Sequence, residues 1–192
     1  MSKRTRLIAG ALAGLLLAIP AANATLIVAG ASDTTFAGYD GQPSGVTGEL
    51  NRGLLGTLWS TESGTVTFTY LGNESGDVNR FRFISQYLWE TNAIGTSVSG
   101  AVGPGYVSFG FRDTTTGGSY LNGSTRIVYV PNRQTSQGLF QYVIGFNDNG
   151  GRDRDFDDFV VGVNFASVPE PGTLALLGLG LMGIGLSRRR RA

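Results

Sequence analysis

Five carboxylates crowd one short stretch, NDNGGRDRDFDDF, residues 147–159. Asp153, Asp155 and Asp157 are spaced by two, Asp158 is adjacent, and Asp148 lies just upstream. Carboxylates at i, i+2 and i+4 converge on one cation when the backbone loops around it. Hard cations such as calcium take six to eight oxygens, so one reading is a calcium-binding loop formed by Asp148, Asp153, Asp155, Asp157 and Asp158. The pattern starts like an EF-hand loop and then departs from it, with Asp158 where that loop has glycine and Asn164 where it has a bidentate glutamate. The other reading is a solvated acidic turn in which Arg152 and Arg154 pair locally, an arrangement that contributes about 0–1 kcal/mol.

A second polar cluster lies in YLGNESGDVNRFRF, residues 70–83. Asn73, Glu74, Asp77 and Asn79 could hold a sugar or a cation, although the plainer reading is a hairpin loop. Glycoside hydrolysis needs two carboxylates about 5–9.5 Å apart. Glu49, Glu62, Glu74 and Glu90 are scattered, and no spacing selects a pair. The chain has no Cys and no His, which excludes disulfides, thiolate nucleophiles, His-ligated metals and the Ser-His-Asp machinery. The reading is therefore a non-enzyme, with a secreted carboxylate-based glycan hydrolase as the alternative. Tyr39, Trp59, Tyr87, Trp89, Tyr106 and Tyr120 are aromatic platforms in principle, but in a sandwich most should be core.

The elements that must position these residues read as strands. In GTVTFTYL, residues 64–71, Val66, Phe68 and Tyr70 alternate with threonines, the period of a half-buried strand. Further strands are expected at 25–30, 80–89, 106–111, 126–130, 139–146 and 159–165, separated by turn-rich links. The fold class is all-β, an antiparallel β-sandwich of jelly-roll-like winding, with a closed barrel as the alternative.

Both ends read as processing segments. Lys3, Arg4 and Arg6 precede an apolar run, and Ala22-Asn23-Ala24 is an A-x-A site. Residues 1–24 are read as a secretory signal peptide cut by signal peptidase after Ala24, leaving residues 25–167 as the exported domain. That domain keeps eight Arg and no Lys against 13 acids, a net charge of −5. Such a balance argues against nucleic-acid binding, which needs clustered positive charge. At the other end, residues 173–186 carry no charge. As a helix they span about 21 Å, short of the ~30 Å hydrocarbon core. Gly178 to Gly183 fits G-x-G-x-x-G, but with no strand–helix context around it the match is a by-product of a Gly/Leu-rich segment.

Val168-Pro169-Glu170-Pro171, then this short helix, then Arg188-Arg189-Arg190-Arg191, resembles the PEP-CTERM sorting signal, over residues 168–192. The resemblance implies a partner, exosortase, a membrane cysteine transpeptidase of Gram-negative bacteria. It also implies transient residence in the inner membrane, cleavage near Pro169-Glu170-Pro171, and transfer to the cell surface or extracellular matrix. Residues 153–161 are similar to an Asp-rich stretch that precedes the last strand in β-rich domains bearing such tails. The expected protein is an exported surface or matrix component. Its expected role is structural or adhesive in an exopolysaccharide-rich biofilm, with calcium-assisted glycan contact and no cofactor other than calcium. A permanent membrane tether is the competing reading of the tail.

Overall fold

The alternation in residues 64–71 is realised as a strand whose Val66, Phe68 and Tyr70 are all buried. The computed structural model describes residues 25–36, 51–148, 155–168 and 178–182. Twelve strands form among them: β1 Leu26–Thr35, β2 Arg52–Ser60, β3 Gly64–Gly72, β4 Asn79–Phe83, β5 Gln86–Trp89, β6 Ser97–Val102, β7 Gly105–Tyr106, β8 Phe109–Asp113, β9 Ser119–Leu121, β10 Ile127–Thr135, β11 Gly138–Phe146 and β12 Phe159–Ser167. The larger sheet runs β1-β2-β10-β11-β12-β3-β6, with β7 paired to β2, and the smaller runs β5-β4-β8-β9. All pairings are antiparallel. The expected antiparallel two-sheet architecture is present, and this strand order does not establish a jelly-roll winding.

The core between the sheets is aromatic. Phe68 of the large sheet meets Phe81, Phe83 and Phe109 of the small one at ring separations of 4.7, 4.9 and 5.2 Å. Phe111 stacks on Phe146 at 4.8 Å. Each such ring contributes about 1.5–3 kcal/mol by leaving water, with a further increment for edge-to-face or offset stacking. A second apolar cluster covers the opposite face of the large sheet and joins Val128, Val130, Phe140, Val143 and Val160 to Phe36 and Phe156. Two-sided burial explains why β10, β11 and the start of β12 read as apolar runs rather than strict alternation. Gly162 belongs to this packing, because a Cβ there would stand 2.5 Å from the Phe140 ring.

Several expectations are corrected. Residues 80–89 are a hairpin rather than one strand, turning at Ile84-Ser85. Residues 106–111 break at Val107-Ser108, where the chain passes from β7 in one sheet to β8 in the other. The link after β3 is a crossover between the sheets, not a hairpin loop. Strands β2, β6 and β9 were not expected. β2 is interrupted by Gly53 and Gly56, β6 is built of small residues at the sheet edge, and β9 has three residues. The aromatics expected in the core are largely outside it, with Trp59 40% and Tyr106 45% exposed and Tyr87 and Trp89 also exposed. Tyr39 lies outside the described residues. Among the described residues no helix is long and apolar enough to cross a membrane, and of the tail helix expected at 173–186 only residues 178–182, which are helical, are described. The expected signal helix, residues 1–24, is outside them too.

Two buried polar residues fix loops of the small sheet. Asn122 ties the chain after β9 to the large sheet through its side-chain amide. Asp113 closes the turn after β8, accepting N–H bonds from Thr115 at 2.8 Å and Thr116 at 3.0 Å and a hydroxyl bond from Thr116. Burial alone would raise the Asp113 pKa. The Thr116 and Thr115 donors and the Arg126 charge outweigh it and hold the pKa below its ordinary value of 3.8. A depressed carboxylate contributes stability that is present above the unfolded pKa and is lost as pH falls through the folded one. We therefore expect Asp113→Ala to lower unfolding free energy by about 1–3 kcal/mol at neutral pH. The difference from the parent should shrink below pH ~3.8, as read from urea midpoints against pH.

Candidate functional site

Antiparallel pairing brings three strand ends to one corner of the large sheet. Phe146 of β11 pairs with Phe159 of β12, and Val160 of β12 pairs with Gly72 of β3. The chain leaving β11, the chain entering β12 and the chain leaving β3 therefore emerge together. The first two carry Asp148, Asp155, Asp157 and Asp158, and the third carries Asn73, Glu74, Ser75 and Asp77.

The two segments are stitched to each other. Glu74 donates its N–H to the Asp157 carbonyl at 3.1 Å. Asp148 Oδ2 accepts from Ser75 Oγ and from Asn79 Nδ2, each at 2.7 Å. Asp158 Oδ2 accepts the Asp148 N–H at 2.7 Å, and Arg126 Nη1 donates to the Asp148 carbonyl. Ser75 Oγ in turn accepts the Asp77 N–H at 2.9 Å.

Within this frame Glu74, Asp155 and Asp157 place carboxylate oxygens within 4.8 Å of one another. Oxygens bound to one calcium at 2.3–2.6 Å can stand at most about 5 Å apart, so these three carboxylates can share such an ion. Asp157 is fully buried and Asp155 is 7% exposed, while Glu74 lies at the surface. Phe156 between the two aspartates has φ 62°, a left-handed conformation uncommon for an aromatic residue. It turns its ring against Phe36, 5.5 Å away. Close by, Asn79 Oδ1 and Asp148 Oδ1 are buried and accept no hydrogen bond among the described residues.

The potential at this corner is negative. Glu90 Oε1 accepts the Asn79 N–H at 2.7 Å. Burial raises the Glu90 pKa first, and repulsion from Asp148 and Asp77 adds to it, against the lowering effect of the Asn79 bonds. Tyr70, which donates to Asn73 Oδ1, is pushed up to about 12 by burial and by the Glu90 charge.

Of the residues expected to form a cation loop, Asp155 and Asp157 meet here. Asp158 and Asp148 are buried beside them and bond as described, outside the three-carboxylate group. Asp153 lies outside the described residues. Glu74, flagged from sequence in a different segment, is the member that spacing could not join to the aspartates. Asp148, Asp155, Asp157 and Asp158 are buried, while Arg152 and Arg154, which the alternative reading pairs with them, lie outside the described residues.

Val168 follows β12 directly, is exposed, and donates its N–H to the Ser63 carbonyl at 3.3 Å. Pro169, Glu170, Pro171, the Arg188–Arg191 cluster and the cleavage residues Ala22 and Ala24 lie outside the described residues. No curated protein and no solved structure matches the chain. Residues 167–191 match the family model for the PEP-CTERM protein-sorting motif, so the chain carries that sorting motif, which supports exosortase-type processing and export toward the cell envelope or surface.

Proposed function

We propose that this protein is a non-catalytic structural or adhesive module of the surface or extracellular matrix of a Gram-negative bacterium, its acidic corner closed by calcium. The observation that carries the reading is the three-carboxylate group. Two aspartates from the β11–β12 connection and a glutamate from the β3–β4 crossover meet within 4.8 Å. A cation shared by the two segments would lock three strand ends and offset the cost of crowding buried like charges. The close carboxylates lie at the corner of the large sheet and line neither described groove. Those grooves are lined by arginines with Asp33 as their sole acid, which favours binding over carboxylate-based hydrolysis. Calcium titration with Glu74 and Asp157 variants tests the corner.

The tail is read as a handle that holds the protein in the inner membrane until exosortase cuts near Pro169-Glu170-Pro171. Intact mass of the surface form from the native host should correspond to a chain beginning at Thr25 and lacking Arg188–Arg191. A mature form that retains all four arginines would favour the permanent tether instead.

A further inference from the structure

The outer face of the small sheet is basic although the domain is acidic. Residues pointing away from the core there include Arg80, Arg82 and Arg112, three of the domain's eight arginines. Arg80 and Arg112 stand directly opposite each other across β4 and β8. Like charges in that relation are destabilising. Among the described residues no carboxylate pairs with any of the three; Arg82 Nε donates to the Ile84 carbonyl and Arg80 lies over the Tyr87 and Trp89 rings at 4.9 and 5.1 Å. A groove of about 500 Å³ runs between these arginines and β9. Gly110 forms its floor, and a Cβ there would stand 2.8 Å from the Tyr120 carbonyl. Exposed Ile84 and Leu121 stand at its walls with the serines 85, 108 and 119.

We propose that this groove binds an acidic polysaccharide of the uronate type. The arginines supply forked donors for carboxylates, spaced about 6.6 Å along β4 and one strand apart across to β8. The serines match sugar hydroxyls, and Ile84 and Leu121 match the apolar faces of sugar rings. Single-stranded nucleic acid fits less well, because it needs open aromatic faces on which bases stack. The Tyr87 and Trp89 rings are engaged by Arg80 and do not line the groove. The proposal gives the adhesive reading a ligand class. It rests on neither the acidic corner nor tail cleavage, so it is tested in EDTA.

Calorimetric titration of the full chain in detergent with polygalacturonate oligomers should show binding that weakens with salt. Neutral dextran should show none, and a thymidine oligonucleotide should bind more weakly. Arg82→Ala with Arg112→Ala should weaken polygalacturonate binding by roughly tenfold per arginine. The melting temperature should stay unchanged or rise, because removing Arg112 relieves its repulsion with Arg80. Arg112→Glu alone should weaken binding with the same thermal signature. Retained affinity in these variants, equal binding of dextran or the oligonucleotide, or self-association abolished by Arg112→Glu would each overturn the assignment.

Discussion

Calcium is expected to raise the melting temperature of the purified protein, and both Asp157→Asn and Glu74→Gln are expected to remove most of that rise. At a free concentration a hundredfold above the dissociation constant, a site present only in the folded state adds about 2.7 kcal/mol. For a domain of this size that corresponds to a shift on the order of 10 °C. Glu74 is the sharper variant, because it lies in a different connection and a simple acidic turn gives it no role. Asp158→Ala separates frame from ligand. Its Oδ2 accepts the Asp148 N–H, so its loss should lower stability about equally with and without calcium. The pH dependence adds an independent sign. Glu90 has a folded pKa raised above 4.5 by burial and by Asp148 and Asp77. Without calcium, stability should therefore fall as pH rises through that value toward the folded one. A cation at the corner opposes the repulsion, so calcium should flatten the fall. Scanning calorimetry in EDTA and in calcium, at several pH values, reads all of these effects. A parent melting temperature indifferent to calcium would leave the acids as a purely structural network.

The parts of this molecule that were legible from sequence are those in which one face of one strand decides the pattern. β3 is the clear case: Val66, Phe68 and Tyr70 occupy alternate positions, and all three are buried. The signal at residues 167–191 was legible for a different reason, because its elements are contiguous and need no fold to assemble. What alternation could not supply was sheet membership. Residues 106–111 alternate acceptably, yet Tyr106 pairs with Trp59 in one sheet and Phe109 with Phe83 in the other. The same blindness hid the three-carboxylate group. Glu74 reaches Asp157 only because β3 pairs with β12, which returns the crossover beside the acidic segment. The aromatic misreading has an equally local cause. Tyr87 and Trp89 fall on the outward side of β5 while Leu88 alone points inward, and aromatic content by itself does not choose a face.

Replacing Asn122 should be among the most damaging single changes outside the aromatic core. Its Oδ1 accepts the Leu58 N–H at 2.8 Å and the Tyr129 hydroxyl at 2.6 Å. Its Nδ2 donates to the Leu58 carbonyl at 2.9 Å and the Val107 carbonyl at 2.8 Å. One amide thus satisfies both backbone groups of Leu58 and couples the chain after β9 to β2 and β10 of the other sheet. Asn122→Ala strands several buried groups at about 1–3 kcal/mol each, part of which entering water would recover. A loss of about 3–5 kcal/mol is expected, against a typical domain stability of about 5–15 kcal/mol. Tyr129→Phe, which removes one partner while keeping the ring, should cost only about 1 kcal/mol. Asn122→Asp is the most diagnostic variant. It keeps both acceptor roles but sets a carboxylate oxygen against the Leu58 and Val107 carbonyls. Burial and those carbonyls favour the protonated acid, so the introduced group has a raised folded pKa. Its penalty should be largest at neutral pH and should diminish as acid restores one donor. Urea midpoints of the parent, Asn122→Asp and Asn122→Leu at pH 7 and in mild acid separate the contributions. Negligible penalties for both Asp and Leu at both pH values would show that the hydrogen bonds of Asn122 contribute nothing and that it acts by volume alone.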